Sequence, residues 1–210
     1  MQYRYIAIEG NIGAGKTTLA KLLAEHYNAR LLLEEYANNS LLPKFYAEPE
    51  RYAFQLELSF LADRYKQMKD VLLSPDLFRD SVVSDYLFLK SKLFAHQNLQ
   101  EDEYNLFRKL FDIMETALPQ PDLLIYLQSP ITVLQEHIKQ RGRSYEQGIE
   151  DSYLEGIESA YNEYIAKSGQ KTLIVDIANV NFTSNISQFQ QLLDFLNSDY
   201  TFTTYQLHIN

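Results

Sequence analysis

The run Gly10-Asn11-Ile12-Gly13-Ala14-Gly15-Lys16-Thr17 satisfies the pattern G-x-x-x-x-G-K-[ST]. An apolar stretch leads into Gly10 and a helical pattern begins at Lys16. The loop therefore stands between a strand and a helix, the setting in which this pattern binds phosphate. Glycines let the backbone curl until its N–H groups converge on phosphate oxygens. The positive end of the following helix adds to that field. Lys16 would contact the β- and γ-phosphates of a nucleotide, and the Thr17 hydroxyl would help hold Mg²⁺. The bland alternative, a Gly-rich turn that binds nothing, explains the full pattern less well. Glu34 and Glu35 form a second candidate group, at the end of the next apolar strand. A carboxylate there can position an attacking hydroxyl and take its proton. A third group is Arg141-Gly142-Arg143 with Lys139 nearby. Guanidinium forks suit phosphate oxygens, and Gly142 permits a hinge. The competing reading is a solvated helix end whose cations face the negative end of the helix dipole.

These groups need a scaffold that brings loop ends together. Short apolar runs at Tyr3–Glu9, Arg30–Glu34, Ser81–Ser84, Leu123–Leu127 and Thr172–Asp176 read as strands. Helical patterns fall between and after them: Lys16–Tyr27, Tyr52–Leu73 opened by Pro49 and Glu50, Leu87–Ala95, Glu101–Leu118, Ile131–Gln140, Ser152–Ala166 and Ile186–Leu196. Strands alternating with helices imply an α/β fold with a five-stranded parallel sheet, covered on both faces. The strands are nearly all apolar, as strands buried on both sides must be. Ligands on such a sheet lie beyond the carboxyl ends of the strands. The segments to inspect are therefore Gly10–Thr17, Glu34–Tyr36, Asp85–Tyr86, Gln128–Ser129 and Asp176–Asn181.

Composition narrows the function classes. With 210 residues the chain makes one domain, and the 19 basic against 28 acidic residues leave a net charge of −9. A net anion repels a phosphate backbone, so nucleic acid is excluded as a general partner. There is no cysteine, hence no disulfide framework, thiolate nucleophile or Cys-ligated zinc. No apolar stretch reaches the ~18 residues of a membrane span. No signal-peptide pattern follows Met1, so the expectation is a cytoplasmic protein.

Three segments together resemble the deoxyribonucleoside kinases, of the bacterial deoxyguanosine and deoxyadenosine kinase type. They are Asn11 to Thr18 with Glu34, Asn39 to Phe54 with its Phe45-Tyr46-x-x-Pro49 core, and the lid-like run Arg141 to Ile149 containing Glu146. Asp176 to Phe182 is similar to the loop that flanks adenine in that family, which implies ATP contacts at Asp176, Asn179 and Val180. The resemblance covers essentially the whole chain as one P-loop kinase domain, with the lid at about 139–150. It implies transfer of the ATP γ-phosphate, with Mg²⁺, to the 5′-hydroxyl of a deoxynucleoside. Glu34 is then the general base, and Tyr46 with Glu146 hold the sugar 3′-hydroxyl. Arg141 and Arg143 pair with charge on the transferred group. The resemblance also implies a homodimer, for which the helices at 52–73 and 101–118 are candidates.

Three positions depart from the family: the residue after Glu34 is usually Pro and here is Glu35, and two more lie further on. The acidic residue after the third strand is normally followed by Arg; here Asp85 is followed by Tyr86. Asp85 can serve as a second catalytic acid or as a Mg²⁺ contact through water. Glu57 falls where the family carries Gln to read the base. Arg64 lies seven positions on, hence on the same helix face. An ionised carboxylate only accepts hydrogen bonds, which suits the two adjacent donors of guanine. Arg64 could then donate to the guanine oxygen. The expectation is a purine, with deoxyguanosine favoured over deoxyadenosine. Two other functions stay open on the sequence: a nucleoside monophosphate kinase of the thymidylate type, and a nucleotide-binding regulator without turnover.

Overall fold

The computed structural model describes residues 2–35, 39–198 and 201–209; Tyr36 lies outside them. Six strands form one parallel sheet in the order β2-β3-β1-β4-β5-β6, namely Tyr5–Gly10 (β1), Arg30–Leu32 (β2), Val82–Ser84 (β3), Leu123–Gln128 (β4), Thr172–Asp176 (β5) and Thr204–His208 (β6). The expected five strands are all present, and β6 corrects the count. β6 is an edge strand that pairs only with β5 and leaves most of its side chains exposed. Its sequence, Thr-Tyr-Gln-Leu-His, therefore carries no apolar run to announce it.

Among the described residues eight α-helices flank the sheet: Lys16–His26 (α1), Leu42–Ala47 (α2), Pro49–Leu72 (α3), Lys90–Asn98 (α4), Glu101–Glu115 (α5), Ile131–Arg141 (α6), Asp151–Ser168 (α7) and Ile186–Asn197 (α8). Alternation along β1 divides the core. Ile6 and Ile8 point to one face and pack with Leu19, Leu23 and Leu192 from α1 and α8. Tyr5 and Ala7 point to the other, with Leu61, Phe107, Phe111 and Tyr161 from α3, α5 and α7. A period of two across a doubly covered strand has this consequence. No helix among the described residues is long and apolar enough to cross a membrane.

Two elements are shifted in ways that matter for the site. The buried stripe of α3 includes Ala53, Leu56, Phe60 and Leu61, and it also carries Glu57 and Arg64 inward. The helix expected from Leu87 starts instead at Lys90. The Leu87 N–H donates to Glu9 Oε1 at 2.7 Å, and Ser84 Oγ donates to the Tyr86 carbonyl at 2.7 Å. Residues 85–89 are thereby drawn into a turn across the top of β1, and Lys90 becomes the first helical residue.

Candidate active site

The phosphate loop takes the curled form that its glycines permit. Gly13 has φ +87°, and a Cβ there would stand 2.8 Å from the Leu134 carbonyl oxygen. Gly15 has φ +81° and caps α1. Both conformations are costly for a residue with a side chain. Asn11 fastens the loop to α7, donating from Nδ2 to the Leu154 carbonyl at 2.8 Å. The Lys16 ammonium donates to the carbonyls of Gly10 and Asn11, each at 2.8 Å. Burial, with the charge of Lys90, lowers the Lys16 pKa to about 8 against the pull of Glu9, Glu34 and Asp85.

Beyond the ends of β2 and β3 the acidic residues are tied to this loop. Asp85 Oδ2 accepts from the Thr17 hydroxyl at 2.5 Å, and Oδ1 accepts from the Glu34 N–H at 2.8 Å. The Glu34 carboxylate lies between two cations. Oε1 accepts from Arg64 Nε at 2.8 Å and Nη2 at 2.5 Å, while Oε2 accepts from Lys90 Nζ at 2.5 Å. Burial alone would raise the Glu34 pKa, but the charges of Lys90 and Arg64 outweigh it and hold the carboxyl well below the usual range. Glu35 is exposed and faces a separate groove beside Asp63, so only Glu34 belongs to the site. Arg64 also donates from Nη1 to Ser91 Oγ at 2.9 Å. Its guanidinium is thus turned to Glu34 and Ser91 rather than hydrogen-bonded to Glu57.

A cavity of about 600 Å³ runs from the phosphate loop to the inner face of α3. Its far end is lined by Phe45, Leu56, Glu57, Phe60, Phe94 and Asn98. Glu57 Oε1 accepts from Asn98 Nδ2 at 2.6 Å; Oε2 is buried and has no hydrogen-bond partner. Burial raises the Glu57 pKa to about 7, opposed by the Arg64 charge and the Asn98 bond. Over the opening lies the 139–150 segment. Gly142 ends α6 at φ +71°, and a 3-10 turn at Ser144–Glu146 turns Glu146 inward. The buried Glu146 carboxylate accepts from both Arg141 Nη2 and Arg143 Nη1, the latter at 2.9 Å. Tyr46 stacks on Tyr145 with ring centroids 5.8 Å apart, and burial and the Glu146 charge push its hydroxyl pKa up.

The loop after β5 meets the expectation only in part. Val180 lines the cavity, together with Ile177, Asn181, Phe182 and Thr183. Asp176 and Asn179 do not line it. Asp176 Oδ1 accepts from the Ala178 N–H at 3.0 Å, and the Asn179 carbonyl accepts from Gln188 Nε2 at 3.1 Å. Both therefore shape the loop from behind. Sequence reasoning passed over Lys90, Asn98 and Tyr153, all of which line the cavity. A lysine or asparagine on a helical pattern reads as surface, and no local spacing marks either one.

Mg²⁺ prefers hard oxygen ligands and usually keeps several waters and substrate phosphates in its shell. The Thr17 hydroxyl and the Asp85 carboxylate, in contact at the mouth of the loop, supply such oxygens. Among the described residues no group of three or more His, Cys, Asp or Glu could cage an ion unaided. The donor set fits a metal that arrives with nucleotide phosphates.

Sheet, loop and cavity together define a P-loop phosphotransferase. The family model for deoxynucleoside kinase matches residues 6–198. Deoxyguanosine kinase of Bacillus subtilis is 35% identical over 196 residues, covering 90% of this chain and 93% of that protein. Deoxyadenosine/deoxycytidine kinase of the same organism is 34% identical over 152 residues, covering 70% of each. Among solved structures, deoxyadenosine kinase from M. mycoides with bound dATP superposes with a TM-score of 0.79 at 24% identity, over 92% of this chain and all of that one. At that identity the likeness speaks for the fold. The chain belongs to the deoxynucleoside kinase family, and it is an ATP-dependent phosphotransferase acting on deoxynucleosides.

Proposed function

We propose that the enzyme phosphorylates the 5′-hydroxyl of purine deoxynucleosides and prefers deoxyguanosine. The observation that carries this reading is the far end of the cavity, where the buried Glu57 carboxylate is held by Asn98 on one oxygen and has no partner on the other. Guanine presents a ring N–H and an exocyclic amine side by side, two donors for one carboxylate. Adenine presents a ring acceptor there, which is matched only when Glu57 is protonated. The B. subtilis relative named for deoxyguanosine supports the same choice, while that named for deoxyadenosine and deoxycytidine leaves it open.

Roles for the remaining residues follow from their positions. The backbone of Gly10 to Thr18 cradles the ATP phosphates, with Lys16 on the β- and γ-groups. Thr17 and Asp85 would hold a Mg²⁺ brought with ATP, which would supply charge neutralisation there. Glu34 orients the 5′-hydroxyl and accepts its proton. Tyr46 and Glu146 bind the 3′-hydroxyl, and Arg141 and Arg143 approach the transferred phosphoryl group from the lid. Asp176, Asn179 and Val180 belong to the adenine-side loop, with Val180 the contact. Leu106, Leu110 and Ile113 leave an exposed apolar stripe on α5, which suits a helix-paired homodimer.

The test is kcat/KM for deoxyguanosine, deoxyadenosine, deoxycytidine and thymidine, for wild type and Glu57→Gln. Deoxyguanosine should lead in wild type, and its ratio to deoxyadenosine should rise with pH through about 7. The ratio should shift toward deoxyadenosine in Glu57→Gln. A wild-type preference for deoxyadenosine or a pyrimidine, or a ranking unchanged by the substitution, would overturn the proposal.

A further inference from the structure

Lys90 has no part in the roles above, yet its ammonium is in the centre of the site. Its side chain is 8% exposed and bonded to Glu34 Oε2 at 2.5 Å. The turn that places it is anchored by Glu9, itself fully buried at the end of β1 and also bonded to the Tyr161 hydroxyl at 2.7 Å. Lys90 is close enough to influence the ionisation of Glu9, Lys16 and Glu34 alike. It is bonded to the acceptor carboxylate and lines the same cavity as the phosphate loop. Tyr86 offers no positive charge there: it is wholly buried, and its hydroxyl donates to Gln67 Oε1 at 3.0 Å.

The distribution of hydrogen bonds on Glu34 is uneven. Oε1 already accepts two N–H groups from Arg64, while among the described residues Oε2 accepts from Lys90 alone. A carboxylate oxygen has about two lone-pair sites, so the free site belongs to Oε2. An attacking hydroxyl bound there becomes the immediate neighbour of the Lys90 ammonium. As the phosphoryl group arrives, before the hydroxyl proton has moved, its negative charge approaches a still ionised Glu34. Like charges at that separation in a partly dry site are strongly unfavourable unless a cation lies between them. Lys90 is the cation already in that place.

We propose that Lys90 is the acceptor-side cation of the reaction, sharing Glu34 Oε2 with the attacking 5′-hydroxyl and binding the phosphoryl group as it arrives. The bond that forms is between the 5′-oxygen and the γ-phosphorus, the bond that breaks is to the ADP oxygen, and Glu34 takes the hydroxyl proton. The proposal rests on the kinase reading above and is separable from it.

The experiment compares wild type, Lys90→Met and Lys90→Arg in steady-state kinetics, and in calorimetric binding of deoxyguanosine and of its 5′-monophosphate without ATP. For Lys90→Met, kcat should fall roughly 100-fold with nucleoside affinity within about threefold, and monophosphate affinity should drop at least about tenfold. Lys90→Arg should restore most of the monophosphate affinity, since it keeps the charge. A purely structural role would weaken nucleoside and monophosphate equally. Unchanged kcat, or equal loss of both ligands, overturns the proposal. Should Lys90→Met fail to fold, wild type carrying ¹³C-labelled lysine decides. The ε-carbon resonance that disappears in Lys90→Arg must shift further with monophosphate than with nucleoside; a resonance that monophosphate moves no more than nucleoside does refutes the role. A wild type that phosphorylates no deoxynucleoside would instead count against the kinase reading itself.

Discussion

Replacing Glu57 by Gln removes a buried ionisable group while keeping its shape. Glu57 is 2% exposed, and one of its two carboxylate oxygens has no partner. Burial raises its pKa from 4.5 to about 7 despite the opposing charge of Arg64. The folded protein therefore holds a proton that the unfolded chain releases. Stability from this group is fully present below about pH 4.5 and is lost as pH rises through about 7. Integrated over that displacement, the loss is about 3 kcal/mol at about pH 8 and less than about 1 kcal/mol at about pH 5. The Gln variant has no such dependence at this position. It should be more stable than wild type at about pH 8, by an amount that shrinks steadily toward about pH 5. Urea titrations followed by circular dichroism across that range measure it, read as midpoints at constant slope. A difference that does not vary with pH, or that grows on acidification, would refute the placement of an undersolvated carboxyl at the end of the cavity.

Lys16→Ala should lower phosphoryl transfer by orders of magnitude in a protein whose circular dichroism is unchanged, because the charge on the β- and γ-phosphates is gone. Near-normal turnover in that folded variant would contradict the assignment of the loop. Glu34→Gln should cut kcat by roughly 100-fold or more, whereas Glu35→Gln, on an exposed residue, should leave kcat within about twofold. The reverse order in steady-state assays would show that the wrong carboxylate has been assigned. Arg141→Ala should reduce kcat more than it raises the nucleoside KM, since a lid cation meets charge that develops during transfer. A change confined to ATP affinity would make the lid a ground-state clamp.

Much of this site could be read from the chain alone because its chemistry is local. Gly10 to Thr17 is one contiguous segment whose strand, turn and helix specify one another, and the structure reproduces all three. Arg141, Gly142, Arg143 and Glu146 lie within six positions, so their meeting needs only a helix end and one 3-10 turn. Glu57 and Arg64 were likewise placed on one face by helical geometry, and both are buried. What that geometry could not supply was the partner. Arg64 turns to Glu34, thirty positions away, because β2 ends beside α3, and two charged hydrogen bonds to one carboxylate oxygen displace a looser contact on its own helix.

Lys90 shows why the remaining parts were hidden. Its distance from Glu34 is 56 positions in sequence and 2.5 Å in space. Three separate facts close that gap: β2 pairs with β3, Asp85 takes the Glu34 N–H, and Glu9 takes the Leu87 N–H. The last of these delays α4 until Lys90. Without it the helix would begin near Leu87 and rotate the lysine by nearly a turn. A buried glutamate under the phosphate loop thus determines which cation reaches the acceptor side. Periodicity detects which residues face a core; it is silent about a charge whose direction depends on where a distant carboxylate stops a turn. The absent arginine at position 86 was visible in the sequence, and the ammonium bonded to Glu34 was not.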